Sequence, residues 1–256
     1  MSKMIFFDID GTLLDHEKKI PSSTKFAIEQ LKKNGIFVAI ATGRAPFMFD
    51  WIRQELDIDS YVSLNGQYVV FENQVIYKQP LNQQLLHQLN KDSGERGHAL
   101  VYLTHQTMKA SHEKNKMIHE SLDTLHFPYP DVEPEYYLNH EIYQSLLFCE
   151  EKDESYYRKN YDRFEFIRWH RYSLDVLPKG GSKALGIKKM IEKLNIPMEE
   201  VIAFGDGLND VEMLQTVGYG VAMGNGCEQA KKVSELVTKD VSEEGIYHAL
   251  KTLSLI

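Results

Sequence analysis

The chain has 256 residues, enough for one large domain or two modest ones, and its 43% hydrophobic and 26% charged content is ordinary for a globular protein. A formal net charge of −8 argues against a nucleic-acid-binding protein and against docking on anionic lipid, but it allows a phosphorylated small molecule, since one local cation can hold it. The two cysteines, which form no paired pattern, argue against a disulfide scaffold and a structural zinc site.

The N-terminal segment and the hydrophobic pattern predict a soluble, cytoplasmic protein. The apolar run Met4–Phe7 is too short for a signal peptide, and Asp8 follows it at once. No apolar segment approaches the ~18 residues that a membrane-spanning helix needs. We therefore expect neither a membrane nor a nucleic acid as partner, and the sequence indicates no particular oligomeric state.

Strands and helices alternate in the first third of the chain. The near-continuous apolar run IFVAIATGR, residues 36–44, is typical of a strand that is covered on both faces in a parallel sheet. Pro21 and the serines after it favour a helix start, and Gly35 favours its end. The other predicted elements are a strand at Met4–Phe7, a helix with Phe49, Ile52 and Leu56 on one face, a strand at YVSLNG (61–66) and a hairpin turning near Glu72–Asn73.

The last third repeats this alternation. Ser182 can cap a helix in which apolar residues recur at helical spacing from Ala184 to Leu194. Repeated βα units predict an α/β fold, a Rossmann-like, doubly wound parallel sheet. The elements that follow are a strand at VIAFGD (201–206), a short helix with Met213, Leu214 and Val217, a strand at YGVAM (219–223), a helix from Cys227 and a short strand at ELVT (235–238).

The middle of the chain differs from both flanks, because it is rich in Tyr, His and Glu and its patterning is weaker. We expect residues 81–177 to form a separate α+β domain inserted into a core of residues 1–80 and 178–256. The chain would then cross between the two domains near Pro80 and near Pro178. Predicted strands are EIYQSLLFCE (141–150) and FEFIRWHRYSLDVL (164–177), and predicted helices are NQQLLHQLNKD (82–92) and DESYYRKNYD (153–162).

Four loops with chemically useful side chains follow predicted strand ends, which line the ligand crevice of an open parallel sheet. In the first loop Asp8 and Asp10 stand one residue apart, and burying either of them unpaired is costly. A hard cation such as Mg²⁺, shared with a third acid at Asp206, would relieve their repulsion. The alternative is a turn at Asp10–Gly11 that leaves Asp8 exposed.

The second loop, Thr42–Arg44, is predicted at a junction between a strand and a helix. A hydroxyl group and free backbone N–H groups at such a junction can hold a phosphate. A plain helix cap by Thr42 is an equal alternative, because the motif is short.

The third candidate is Lys183, which lies at a predicted helix start, where a cation opposes the helix dipole. This placement suggests a role beyond helix stability, such as neutralising a bound phosphoryl group. An ordinary surface lysine is the alternative, and Lys179 and Lys188 are nearby rivals.

The fourth loop is GDGLND, residues 205–210, which places two acids and an amide after an apolar strand. A simple turn is the alternative for this loop. The glycine spacing does not fit a dinucleotide-binding fingerprint.

With all four loops in order, the chain resembles the haloacid dehalogenase (HAD) superfamily. The matching motifs are DIDGTLL, ATGR, GGSK and GDGLNDVEML, followed by AMGNG and EEGI. The insertion between the second and third motifs is similar to the α/β cap of the Cof-type phosphatases, class IIB. The resemblance implies a phosphatase acting on sugar phosphates and related metabolites.

The resemblance also implies roles for the acids and the lysine. Asp8 would be the nucleophile and a Mg²⁺ ligand. Asp10 would give its backbone carbonyl to Mg²⁺ and its side chain to acid–base catalysis. Asp206 would be the third protein ligand of Mg²⁺, and Lys183 would bridge Asp8 and the phosphate.

Four further positions follow from the same resemblance. Thr42 and Gly43 would bind the phosphoryl group, and Asn209 would touch the phosphate. Asp210 would orient Lys183 or a metal-bound water.

A phosphatase explains why two acids are present, because one can attack phosphorus while the other protonates the leaving alcohol and later deprotonates water. Two alternatives remain at this point: a sugar phosphomutase, which needs the same acids, and a non-enzymatic metabolite-binding protein, which has no need of the second acid.

Overall fold

The apolar runs of the first and last thirds form one eight-stranded sheet in the computed structural model, which describes residues 3–256. The strands along the sheet run in the order β8-β7-β6-β1-β2-β3-β4-β5. In chain order they are β1 (Met4–Phe7), β2 (Phe37–Ala41), β3 (Tyr61–Ser63), β4 (Tyr68–Phe71), β5 (Gln74–Lys78), β6 (Val201–Gly205), β7 (Tyr219–Ala222) and β8 (Leu236–Val237).

β1 lies in the middle of this sheet and pairs in parallel with β2 on one side and β6 on the other. Phe7 is level with Ile40 of β2 and with Phe204 of β6. The chain thus winds outward in one direction after β1 and returns to the opposite side at β6, which confirms the predicted doubly wound sheet. Ligands of such sheets bind where the winding reverses, beyond the carboxyl ends of these strands.

Helices cover the strands that carry the candidate loops, and every residue of β1 is 0% exposed. Met4 and Phe6 belong to a core that includes Ile187 and Met190 of the helix Lys183–Leu194, while Phe7 stacks on Phe204 with ring centroids 4.8 Å apart. Burial of this kind contributes about 1.5–3 kcal/mol per large apolar side chain. The helices are α1 (Ser22–Lys33), α2 (Asp50–Leu56), α3 (Lys183–Leu194), α4 (Val211–Thr216), α5 (Glu228–Val233) and α6 (Gly245–Thr252), with short 3₁₀ turns at Pro46–Met48, Leu64–Gly66, Met198–Glu200, Leu208–Asp210 and Val241–Glu243.

The predicted hairpin is confirmed at β4 and β5, which are neighbours in the sheet. The two residues between them, Glu72 and Asn73, have φ values of 46° and 60°. Positive φ at both positions gives the backbone twist that matches the twist of two hairpin strands.

The middle of the chain forms a second, five-stranded sheet in which each of the four neighbouring strand pairs is antiparallel. FEFIRWHRYSLDVL forms two of its strands, while Ala99–Leu103 and Met108–Ala110 were not predicted. Ala99–Leu103 is buried along its whole length, and so short a run has no distinctive period. The strands are Ala99–Leu103, Met108–Ala110, Gln144–Phe148, Phe164–His170 and Ser173–Pro178, and the helices are Gln83–Glu95, Lys116–Asp123, Tyr136–Asn139 and Glu151–Asn160.

The contacts divide the chain into two units. The first contains residues 3–44, Met48–Tyr77 and Ser182–Ile256, and the second contains Ala45–Phe47 and Lys78–Gly181. The assignment of residues 1–80 and 178–256 to a catalytic core and of 81–177 to a cap stays a prediction. No helix within residues 3–256 combines the length and the apolar character that crossing a bilayer requires.

Candidate active site

Asp8 and Asp206 are the first residues beyond two neighbouring strands, β1 and β6. The Asp8 N–H donates a hydrogen bond of 2.9 Å to the Phe204 carbonyl, which extends the strand register by one residue. Asp8 is 7% exposed, so the turn with an exposed carboxylate that the sequence left open is absent at this residue. The fold thus brings together two carboxylates, Asp8 and Asp206, that lie toward opposite ends of the sequence.

Lys183 is the cation that offsets these carboxylates in the structure. Its Nζ lies 2.5 Å from Asp8 Oδ1 and 2.7 Å from Asp210 Oδ1, and the residue is only 1% exposed. Burial alone would lower the lysine pKa, but the carboxylates of Asp210 and Asp8 outweigh it and raise the pKa above its ordinary value. Lys183 is therefore a buried, charged lysine rather than a surface one, and Lys188 on the same helix is exposed.

Asp210 holds both this lysine and the fourth loop. Its Oδ2 accepts hydrogen bonds from the backbone N–H groups of Asp206, at 3.0 Å, and Gly207, at 2.9 Å. Its other oxygen accepts from Lys183. With both oxygens occupied, Asp210 is suited to orienting Lys183. Its hydrogen bonds to the backbone of Asp206 and Gly207 also form a turn, which was the alternative interpretation of the GDGLND motif.

Asp206 is packed against the first loop, because a Cβ added to Gly11 would collide with the Asp206 carboxylate. The Thr12 hydroxyl lies 3.5 Å from Asp206 Oδ1. Burial and the negative charge of Asp210 raise the pKa of Asp206 to about 7. Burial likewise raises the pKa of Asp8. Desolvation is the largest cause of both shifts, and three clustered carboxylates beside one lysine leave an excess of buried negative charge.

This excess of negative charge fits a hard divalent cation. Carboxylate oxygens of Asp8, Asp206 and Asp210 all lie within 4.8 Å of one another. Carboxylates are the ligands that Mg²⁺ prefers, and it takes only a few of them from protein. Since Asp210 is already occupied, Asp8 and Asp206 are the side chains best placed to hold a cation.

The Asp10 side chain points to a different set of partners. The Arg44 guanidinium makes a two-pronged contact with it, Nε to Oδ2 at 2.8 Å and Nη2 to Oδ1 at 2.7 Å. Lys18 Nζ adds a contact of 2.7 Å to Oδ1. Although burial acts to raise its pKa, the cations of Arg44 and Lys18 hold the pKa of Asp10 below its ordinary value. In this arrangement Asp10 is an ionised carboxylate.

The loop Thr42–Arg44 follows β2 as predicted, but it does not enter a helix directly. A 3₁₀ turn at Pro46–Met48 intervenes, and α2 begins only at Asp50. The predicted junction between a strand and a helix is therefore present, with the 3₁₀ turn between the loop and α2. Thr42 consequently caps no α-helix; its buried hydroxyl accepts a hydrogen bond of 3.1 Å from the Arg44 N–H.

Four side chains of this region have contacts that the sequence did not predict: those of Lys18, Arg44, Asn65 and Asn225. Asn225 Nδ2 donates to the Gly11 carbonyl at 2.8 Å and so fixes the first loop from a distant part of the chain. Asn65 lies against Gly43 and Asn209. Arg44, Asn65 and Asn225 stand in the short motifs ATGR, LNG and GNG, and Lys18 stands in none of these. Motifs this short do not indicate which side chain each residue contacts.

The position of Lys183 depends on a close approach between α3 and the turn Leu64–Gly66. A Cβ added to Gly186 would collide with Val62 and would lie 2.9 Å from the Gly66 Cα. Gly186→Ala should therefore destabilise the protein by about 1–2 kcal/mol, since overpacking outweighs the better helix propensity of alanine. It should also lower activity, because it displaces the first turn of α3 and with it Lys183.

Urea unfolding and initial rates would check this prediction. Gly94→Ala is the matched control, because Gly94 also lies in a helix but has no atom within 4 Å of its added Cβ. The control should gain about 0.5–1 kcal/mol. Equal stabilisation by both substitutions would contradict the packing argument.

The chain is similar to known proteins over nearly its whole length. The family model described as haloacid dehalogenase-like hydrolase matches residues 5–250. YkrA of Bacillus subtilis (strain 168), which carries a provisional phosphatase name, is 47% identical over 255 residues, covering 100% of this chain and 99% of that protein.

Two solved structures are similar over the whole chain. The crystal structure of a hypothetical protein from Geobacillus kaustophilus HTA426 has a TM-score of 0.96 and 55% identity, with 100% of each chain covered. A sugar phosphatase of HAD subclass IIB has a TM-score of 0.88 and 33% identity, again with 100% of each chain covered.

Proposed function

The chain belongs to the haloacid dehalogenase-like hydrolases and is a phosphatase of that family, and from this premise we propose that it hydrolyses small phosphorylated metabolites with the help of Mg²⁺. Asp8 would carry the phosphoryl group as an aspartyl phosphate. The observation that carries the proposal is the buried Lys183, held between Asp8 and Asp210 beside Asp206. A lysine this buried, among acids that its charge does not fully offset, suits a site that must attract a dianionic phosphate and a cation together.

In the first half of the reaction, an Asp8 oxygen attacks phosphorus and the ester P–O bond breaks. Lys183 steadies Asp8 and offsets charge on the phosphoryl oxygens. Asp10 gives its proton to the departing alkoxide, so the alcohol leaves neutral. Thr42, Gly43 and Asn209 would orient the phosphoryl group.

In the second half, water attacks the aspartyl phosphate. Asp10 accepts the proton of that water, the bond between phosphorus and Asp8 breaks, and inorganic phosphate leaves. The side chains of Asp8 and Asp206 and the Asp10 carbonyl would hold Mg²⁺. When bound, the ion stabilises charge on the transferring group.

Asp10 must exchange partners before it can act as an acid. Its contacts with Arg44 and Lys18 favour the ionised carboxylate, which has no proton to give. We therefore propose that substrate binding draws at least one of these cations away from Asp10, with the phosphate as its new partner. The pKa of Asp10 would then rise toward the working pH.

Phosphate release from a panel of sugar phosphates, nucleotides and cofactor phosphates tests the function. The assay is run with Mg²⁺ and with EDTA. Release that depends on both Mg²⁺ and Asp8 is expected. Conversion of a sugar phosphate to an isomer without net phosphate release would instead indicate a phosphomutase.

Residues 81–177 are proposed to select the substrate, as the resemblance to a class IIB cap implies. Exchanging this segment for the corresponding segment of a relative should transfer the relative's order of preference among the panel compounds. An unchanged order in a folded, active chimera would place the selecting residues elsewhere.

Mg²⁺ should stabilise the protein even without substrate. At about 100 times its Kd, the ion should raise the free energy of unfolding by about 2.7 kcal/mol. Because the pKa of Asp206 is raised to about 7, the ion must displace a proton there, and its affinity should fall as the pH drops below about 7.

Thermal unfolding at several Mg²⁺ concentrations and pH values would measure this effect. Asp206→Asn should abolish most of the stabilisation. The exposed acid Asp131 supplies a control, since Asp131→Asn should leave the Mg²⁺ response unchanged. A normal response in Asp206→Asn would exclude this residue as a ligand.

A further inference from the structure

The turn after β3 has a backbone that its residues would not adopt by preference. Leu64, Asn65 and Gly66 have φ values of 53°, 51° and 94°, three left-handed residues in succession. Leucine is disfavoured in this region, so the surrounding structure must enforce the conformation. Such enforced conformations concentrate at functional sites.

Hydrogen bonds tie this turn to the loop after β2. The Asn65 N–H donates to the Thr42 carbonyl at 3.1 Å, and the Leu64 N–H donates to the Arg44 carbonyl at 3.0 Å. On the other side, Gln67 Nε2 donates to the Asn65 carbonyl at 3.1 Å. The backbone of Asn65 is therefore held from both directions.

The Asn65 side chain reaches two loops at once. It is 2% exposed, and its amide lies over Gly43, where an added Cβ would be 3.0 Å from Oδ1 and 3.1 Å from Nδ2. Asn209 Nδ2 lies 3.5 Å from the same Oδ1. Gly43 and Asn209 belong to the two loops that the proposed function assigns to the phosphate.

We propose that Asn65 is a positioning residue that holds Gly43 and Asn209 in one fixed arrangement, so that the phosphoryl subsite is formed before the substrate arrives. This inference rests on the proposed function. Asparagine suits the position because it tolerates the left-handed backbone and offers both a donor and an acceptor on a short side chain. Without the side chain, Gly43 and Asn209 lose their common contact, and the anion must order them on binding.

Asn65→Gly is the direct test, because glycine keeps the left-handed backbone and removes only the side chain. Orthophosphate binding is measured by calorimetry in the presence of Mg²⁺, and Mg²⁺ binding is measured separately. We expect the Kd for orthophosphate to rise about tenfold or more while the Kd for Mg²⁺ stays the same. In steady-state kinetics with a substrate from the panel, the KM of Asn65→Gly should rise by a larger factor than its kcat falls.

Asn195→Gly is the matched control, since Asn195 also has a positive φ, 55°, but is exposed at the end of α3. It should bind orthophosphate as the wild type does. An unchanged orthophosphate Kd in folded Asn65→Gly would overturn the inference.

Asn65→Asp provides a second measurement that keeps the shape of the side chain. Aspartate retains an acceptor toward Asn209 but loses the amide donor and adds a negative charge. If Asn65 positions the anion subsite, orthophosphate binding should weaken here too, with Mg²⁺ binding retained. The added charge by itself opposes anion binding, so the decisive outcome in this variant is an unchanged orthophosphate Kd, which would also overturn the inference.

The wild type separates this inference from the function on which it rests. If the wild type releases phosphate in a manner that depends on Asp8, while Asn65→Gly and Asn65→Asp behave normally, only the role of Asn65 is wrong. If the wild type neither binds orthophosphate nor releases phosphate from the panel, the proposed function fails, and this inference fails with it.

Discussion

Asp8→Asn should lower the rate of phosphate release by about 10⁴-fold or more while the protein stays folded. The amide has the shape of the carboxylate but lacks the charge and the nucleophilic oxygen. Its carbonyl can still accept the hydrogen bond from Lys183, which lies 2.5 Å from Asp8 Oδ1 in the structure. No aspartyl phosphate can form, so both halves of the reaction stop.

The same substitution should not reduce stability at neutral pH. Burial raises the pKa of Asp8, so folding favours its protonated form. Such a group supports the folded state at low pH, and that support is lost as the pH rises through the raised pKa. Relative to Asp8→Asn, the metal-free wild type should therefore lose stability as the pH rises from acid toward neutral.

Initial rates and urea unfolding at several pH values test both statements. Asp131→Asn, which removes an exposed acid of the second unit, should change neither. A folded Asp8→Asn variant with more than about a hundredth of the wild-type rate would exclude Asp8 as the nucleophile.

Lys183→Met should cost about 3–5 kcal/mol of stability, because it leaves buried carboxylates without their cation. Both contacts of the ammonium group are short, 2.5 Å to Asp8 and 2.7 Å to Asp210, and the Lys183 side chain is fully buried. Methionine fills most of the same volume, so the loss should come from charge rather than from a cavity. Activity should fall by about 10² or more, since Lys183 is the ammonium group that offsets charge on the phosphoryl oxygens beside Asp8.

The pH dependence separates charge from packing. Without Lys183 the negative charge of the cluster is offset less, so the raised pKa values of Asp8 and Asp206 rise further. The folded variant takes up protons as the pH falls. The difference in free energy of unfolding between wild type and Lys183→Met should therefore shrink between about pH 7 and pH 5. Lys188→Met, on the exposed side of the same helix, should stay within about 0.5 kcal/mol of the wild type. A deficit that did not vary with pH would indicate a packing defect instead.

The acids of the site could be predicted because they are tied to strands with strong hydrophobic signals. Asp8 and Asp206 each end an apolar run, and parallel strands bring such ends to one edge of a sheet. Lys183 was harder to choose among its neighbours, since only the fold decides which lysine is buried. Ser182 caps the helix as expected, its hydroxyl accepting from the Leu185 N–H, and this helix start directs Lys183 inward.

The partners of these residues could not be predicted in the same way. Arg44 reaches Asp10 across 34 positions, and Asn209 reaches Asn65 across 144. Local patterns give the direction of an element but not which side chains meet at its end.

The central place of β1 has a consequence for synthesis on the ribosome. Met4 pairs with Val201, so the first strand waits for one of its two neighbours until most of the chain has been made. At typical rates of translation this delay is roughly 10–40 s. Lys78–Gly181 emerges in the interval and can collapse on its own core, whereas the apolar edge of β1 stays open. A chain that stops before Val201 would carry an unpaired, aggregation-prone edge along its first strand.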